Sequence, residues 1–346
     1  FMPLFKNLSF DYDELILDNI FNFLSEAVKK RVTTTERPIA CLLSGGLDSS
    51  LITSLVDHYT DTQLETYSIG LEGSEDLKYA KIVADFLGTK HTEVILTEQE
   101  FIDAIPEVIY AIESYDTTTV RASIGNYLLA KYISQHSEAK VIFNGDGSDE
   151  LCGGYLYMNY ASSSLDFDHE TKRLLKDIHM FDVLRSDKSI SSNGLEPRTP
   201  FLDRSFVQYY LSIDPNYRFH KLNNVCEKYL LRKAFDRTIT YKYNRNIIQD
   251  VLPEEVLWRK KEAFSDGVSK KSRSLYEIIQ EYVSHIDIPT TINYEHNNPD
   301  TQEKKYYRYL YDSYYSGTEK VIPYFWMPKW VNATDASART LDIYED

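Results

Sequence analysis

The stretch Ser44-Gly45-Gly46-Leu47-Asp48-Ser49-Ser50 constrains this 346-residue chain more than any other. An apolar run, Pro38-Ile39-Ala40-Cys41-Leu42-Leu43, leads into it, and a helical pattern, Leu51-Ile52-Thr53-Ser54-Leu55-Val56, leads out. The spacing predicts a strand, a tight glycine turn and a helix N-terminus. Such a turn suits phosphate, because glycines let the backbone approach an anion while the first helical amides point at it. Serine hydroxyls add donors, and Asp48 can hold Mg²⁺ against phosphate oxygens. The Gly-Lys-Ser/Thr ending of a Walker A loop is missing, which disfavours an ordinary P-loop kinase or NTPase. The competing reading makes Asp48 or Ser49 a plain helix N-cap.

The same strand–helix alternation continues downstream. Strands are expected at Leu64–Leu71, His91–Leu96 and Lys140–Asn144, with helices starting at Gly73-Ser74 and ending near Gly88, and from Arg121 to His136. Gly88 stands where a C-cap glycine belongs, and Thr97-Glu98-Gln99-Glu100 reads as a capping box. Strands alternating with helices of this length imply βαβ units and a parallel sheet flanked by helices. Nucleotides bind at the carboxyl edge of such sheets. A second loop, Gly145-Asp146-Gly147-Ser148-Asp149-Glu150, leaves a strand end at that edge. Its carboxylates suit Mg²⁺ and general-base work; the alternative is a solvated acidic turn.

Beyond about residue 165 the strand signal fades. Lys172–Leu184, Arg204–Leu211, Glu227–Phe235 and Leu275–Val283 read as helices, so the C-terminal half is expected to be mainly helical. The tyrosines at 306, 307, 309, 311, 314 and 315 are expected to pack on the core rather than stack on bases. A net charge of −15 argues against a general nucleic-acid or anionic-membrane binder. No stretch is long and apolar enough to span a bilayer. The three cysteines, Cys41, Cys152 and Cys226, lack metal-ligand spacing and suggest a reducing, cytoplasmic setting.

The first loop resembles the pyrophosphate loop of the ATP pyrophosphatases, and of asparagine synthetases in particular. The resemblance extends through Tyr67–Leu71 with Gly73–Ala80, Leu87–His91, Ile112–Ser123, Leu195–Asp203 and Trp258–Gly267, in order, across about residues 10 to 330. It implies an adenine nucleotide α-hydrolase-like α/β fold and ATP with Mg²⁺. It also implies conversion of aspartate to asparagine through a β-aspartyl-adenylate, with ammonia supplied from glutamine. By resemblance, Leu42, Ile69, Gly70, Asn144 and Gly145 would lie against the nucleotide. Ser44, Gly45, Gly46, Asp48, Ser49 and Ser50 would hold pyrophosphate, and Asp48 and Asp149 would bind Mg²⁺. Thr118, Thr119 and Arg121 match positions tied to forming the adenylate. Lys261 matches the lysine that neutralises charge around the departing pyrophosphate; its alternative is a solvated basic run, Arg259-Lys260-Lys261.

Two departures qualify the match. The family pattern at the second loop is S-G-E-G-S-D-E. Here Asn144 replaces the serine, and Asp146 replaces the glutamate assigned as the base for the amide-forming step. No N-terminal glutaminase with a leading cysteine is present. The expected organisation is therefore a helical lead-in over 1–37, linking from a missing glutaminase domain, and an α/β core over 38–165. The helical part of the same synthetase domain follows over 166–330, and a loose tail over 331–346. A glutaminase domain in cis or in trans is the expected partner, and a homodimer is left open. Two other readings stand beside this one: a β-lactam synthetase-like or peptide-cyclising relative, and a degraded nucleotide-binding module.

Overall fold

The computed structural model describes residues 11–236, 239–240, 247–248, 251–261, 267–269, 273–289 and 294–337. Residues 1–10 of the lead-in, Glu262–Asp266 of the Trp258–Gly267 segment and residues 338–346 of the tail lie outside the described residues.

Five parallel strands form one sheet: β1 Ile39–Leu42, β2 Glu65–Leu71, β3 Lys90–Leu96, β4 Val141–Phe143 and β5 Glu196–Arg198. Their spatial order is β3-β2-β1-β4-β5. The chain runs outward from β1 to β3, then returns to the other side of β1 for β4. That reversal between β1 and β4 opens a crevice at the carboxyl edge.

The central strands are apolar on both faces because helices cover both. Cys41, Leu43, Val141 and Phe143 pack on one side, with the helices Asp11–Thr33 and Leu47–His58. Ala40, Leu42, Tyr67, Ile69 and Ile142 face the other, with Ile105–Ile112 and Thr117–His136. Truncating a fully buried member such as Ile142 to alanine would cost about 2–5 kcal/mol. Tyr306, Tyr307 and Tyr311 join this second core, as expected, while Tyr309 and Tyr314 stay exposed.

Local signals hold where capping chemistry is explicit. Thr97 and Glu100 form a reciprocal capping box, and Gly88 takes the left-handed conformation at the end of Glu75–Leu87. Three expectations need correction. β5 was not expected; it contains Pro197, which removes a ladder donor and is tolerated because β5 is an edge strand. The single helix expected over Lys172–Leu184 is two, Ser164–Asp177 and Asp182–Ser191, broken at Phe181. The helix expected from Glu227 starts at Tyr229, because Lys228 is left-handed at φ 56°.

Candidate active site

The loop after β1 turns at Gly45, whose φ is 72°. A Cβ there would lie 2.4 Å from the Ala80 backbone nitrogen, so the turn and the next helix can touch only with glycine. Gly46 is the N-cap of Leu47–His58 and no side chain caps that helix. Neither Asp48 nor Ser49 is therefore the cap; both lie inside the first turn. The Ser44 and Ser49 hydroxyls are 3.0 Å apart, and the Ser49 hydroxyl also donates to the Gly46 carbonyl at 3.2 Å. This leaves a helix N-terminus flanked by hydroxyls, a site of the kind that receives anions.

The loop after β4 lies directly against it. A Cβ on Gly145 would sit 2.7 Å from the Asp48 carbonyl carbon and 2.7 Å from the Ser49 nitrogen. Contact between the two backbones thus requires glycine at 145. Across this contact the Ser148 hydroxyl donates to Asp48 at 2.8 Å. The buried Lys228 ammonium bridges Asp48, at 2.5 Å, and Asp149. Lys261 pairs with the other oxygen of Asp149 at 2.6 Å. Burial alone would favour the protonated acid, but Lys228 and Lys261 more than offset it and hold Asp149 well below the usual carboxylate range. Burial likewise opposes charge on Lys228, and Asp149 and Asp48 keep it cationic.

Asp48 and Asp149 converge on one cation and offer only hard oxygen donors. Two carboxylates, completed by phosphate oxygens, are what Mg²⁺ ordinarily takes from a protein, so the pair fits that ion. Among the described residues no cluster of three or more potential metal ligands occurs.

Asp146 lines the same cavity. Burial, reinforced by Asp182 and opposed by Arg185, pushes its pKa up to about 7. Glu150 accepts a hydrogen bond from the Tyr155 hydroxyl, and burial with Asp182 and Asp149 nearby biases it to the protonated form. The loop after β4 therefore holds one firmly ionised carboxylate, one poised near neutrality and one neutral.

The opposite wall is the N-terminus of Thr117–His136. Its cap is Asp116, which accepts from the Thr119 amide at 2.9 Å and the Trp326 amide at 2.7 Å. The Thr118 hydroxyl is buried and has no partner among the described residues, whereas that of Thr119 donates to Asp116 at 2.7 Å. Thr118 is thus the one of the two free to meet a ligand, and Thr119 holds the turn. Arg121 is almost fully buried, with Glu303 at 2.7 Å and Asp335 at 2.6 Å, and its guanidinium lies 4.7 Å from the Tyr276 ring centroid. Two carboxylates neutralise it, so it ties the wall together rather than presenting an open positive charge. The same tie holds Asp335, within the segment expected as a loose tail over 331–346. Asp335 and Ser337 are buried, and Ala336 and Ser337 line the cavity.

These elements enclose one cavity. It is lined by Leu42, Ser44, Gly46, Asp48, Ser49, Ile69, Thr118, Thr119, Arg121, Asn144, Gly145, Asp146, Asp149 and Lys261 among the sequence-predicted residues. Gly45, Ser50 and Gly70 do not line it: Gly45 makes the turn, Ser50 is fully buried behind it, and Gly70 lies against Ser74 and the Val268 carbonyl. The asparagine synthase family model matches residues 20–169 and 159–315. The chain belongs to the asparagine synthase family.

Its relatives in that family include the glutamine-hydrolyzing asparagine synthetases of Homo sapiens and Gallus gallus. The human protein is 44% identical over 342 residues, covering 96% of this chain and 58% of its own length. The chicken protein is 43% identical over 350 residues, covering 98% and 60%. The chain thus spans less than two thirds of these relatives. Among solved structures, the NH3-dependent NAD synthetase of Campylobacter jejuni aligns at 17% identity and TM-score 0.30, covering 60% of this chain and 95% of that one. The NMN synthetase of Francisella tularensis aligns at 11% identity and TM-score 0.31, covering 89% and 95%.

Several residues of this family member's cavity had no signal in the sequence. Lys228 sits in an unremarkable run, Cys226-Glu227-Lys228-Tyr229, and becomes central only through its left-handed backbone, a conformation that costs a non-glycine residue about 1–3 kcal/mol. Asp182 and Arg185 were hidden by the missed break at Phe181. They form an i,i+3 ion pair at the start of the second helix, and Asp182 also accepts from the Gly147 amide at 3.2 Å. Of the basic run, Arg259 pairs with Asp76 at 3.0 Å and Lys261 with Asp149, which excludes a merely solvated face. Glu227 accepts from the Lys261 amide at 3.1 Å and from Arg232, which fixes the backbone that carries Lys261.

Proposed function

We propose that this chain is the synthetase portion of an asparagine synthetase, using ATP to convert aspartate to asparagine. The observation that supports this most is the convergence of Asp48, Asp149, Lys228 and Lys261 at the mouth of an uncapped helix N-terminus. Displacement at a phosphoryl centre needs positioning and charge neutralisation more than covalent help from the protein.

In the first step an oxygen of the aspartate side-chain carboxylate bonds to the α-phosphorus of ATP. The bond from that phosphorus to the bridging oxygen breaks, and pyrophosphate leaves. Leu42 and Ile69 flank the nucleotide, and the Ser44 and Ser49 hydroxyls with the first amides of Leu47–His58 receive the pyrophosphate. Lys261 and Lys228 lie where negative charge collects. Asp48 and Asp149 would hold Mg²⁺, which when bound neutralises phosphate charge.

In the second step ammonia attacks the acyl carbon, the carbon–oxygen bond to phosphate breaks, and AMP leaves. The proton lost by the attacking nitrogen passes to Asp146. A base is most effective when its pKa lies near the working pH, and Asp146 meets that condition. Ammonia reaches this site from a glutaminase, in cis or in trans.

The test is pyrophosphate and asparagine production by the purified chain with ATP and Mg²⁺, adding aspartate and ammonia separately and together. Aspartate-dependent pyrophosphate release, with asparagine formed only when ammonia is present, is the expected result. Release driven by another acid, or asparagine-free release with ammonia saturating, would refute it.

A further inference from the structure

The side chain of Asn144 lies at a position expected to touch nucleotide, yet both of its polar atoms point elsewhere. Its Oδ1 accepts from the Asp146 amide at 3.3 Å. Its Nδ2 donates to the Ser186 hydroxyl at 2.7 Å. Ser186, fully buried one turn along from Asp182, acts on the Asp146 carboxyl as a hydrogen-bonding neighbour that favours its ionised form. The two contacts of Asn144 fix its amide orientation, because an N–H must meet an acceptor and the Oδ1 must meet the Asp146 donor. An amide NH₂ can only donate. It therefore occupies a lone pair of Ser186 and leaves the serine's single proton to be donated to Asp146.

We infer that Asn144 is a positioning residue for Asp146, holding its backbone directly and aiming its carboxyl group through Ser186. The inference rests on the amide-forming role of Asp146 proposed above. An aspartate carboxyl reaches one methylene less far than a glutamate. The structure joins Asn144 and Asp146 in one hydrogen-bonded unit. Misplacement of a reacting group by about 1 Å can cost about a hundredfold in rate, so the unit bears on the second step while leaving the first alone.

The experiment compares wild type with Asn144→Ser, Asp146→Glu, Ser186→Ala and the double variant Asn144→Ser/Asp146→Glu. Two rates are read for each: first-turnover pyrophosphate release, and ammonia-dependent asparagine formation. Each single variant is expected to lower asparagine formation by about tenfold or more with pyrophosphate release within a few-fold of wild type. The double variant is expected to recover most of that loss, since coupled positions are not additive. Preserved pyrophosphate release reports that each variant is folded, and Ser186→Ala breaks the relay without touching the loop. Losses that simply multiply in the double variant, or Asn144→Ser and Ser186→Ala variants that make asparagine at the wild-type rate, overturn the inference. A loss of both rates together assigns Asn144 to the nucleotide and overturns it too. Wild type without aspartate-dependent pyrophosphate release refutes the ligase reading itself, a result distinct from the others.

Discussion

In the loop after β1, the serine hydroxyls bond to one another and to their own backbone, and the helix behind them starts uncapped. In the loop after β4, Asp146 and Asp149 are matched to groups from distant parts of the chain, Asp146 to Arg185 and Asp149 to Lys228 and Lys261, while Glu150 accepts from Tyr155 five residues on. The hydroxyl array of the first loop is local, and only its Asp48 reaches out, to Ser148 and Lys228. The second loop depends on Asp182, Arg185, Lys228 and Lys261, all well downstream, for the charge states of its acids. Under the proposed function, this difference assigns phosphate to the first loop, with Asp48, Asp149 and the lysines, and the proton to Asp146.

The largest expected effect comes from Asp146→Asn. It removes the base without altering the phosphate groups, and asparagine formation should fall by about 10²–10⁴-fold while first-turnover pyrophosphate release stays within a few-fold. Quenched-flow assays of both products measure this; parallel loss of both would erase the division between the loops. Lys261→Ala should act in the opposite sense, lowering pyrophosphate release itself by about 10²–10³-fold, as removal of one charge-stabilising donor does. The same assay applies, with asparagine per pyrophosphate unchanged.

Gly145→Ala tests the contact between the loops. Its Cβ would overlap the Asp48–Ser49 peptide, so the loops must part, and both steps should lose about a hundredfold. Smaller still is the effect of pH. With Asp146 titrating at about 7, asparagine formation at fixed free ammonia should fall about tenfold per pH unit below 7 and level off above it, because the base works ionised. Pyrophosphate release, governed by an Asp149 ionised at all these pH values, should stay flat across that range.

The contrast between the loops also explains what was legible in the sequence. Strand β1, its glycine turn and the following helix could be read because local chemistry decides them. The capping box at Thr97 and the C-cap at Gly88 are of the same kind. The resemblance located Asp146, Asp149 and Lys261, but not what sets their charge. Lys228, Asp182, Arg185 and Asp335 reach the site through a left-handed residue, a helix break and a buried tail. None of these leaves a periodic or compositional trace. Arg121 shows the limit from the other side: the sequence placed it at the site, but only the structure pairs it with Glu303 and Asp335.

The central claim is that the side-chain carboxylate of aspartate attacks the α-phosphorus of ATP at this site. It is tested most directly with aspartate carrying oxygen-18 in that carboxylate, followed by mass spectrometry of the products after full turnover with ammonia. The account predicts one labelled oxygen in AMP and none in pyrophosphate. Unlabelled AMP, or label in pyrophosphate, would contradict it.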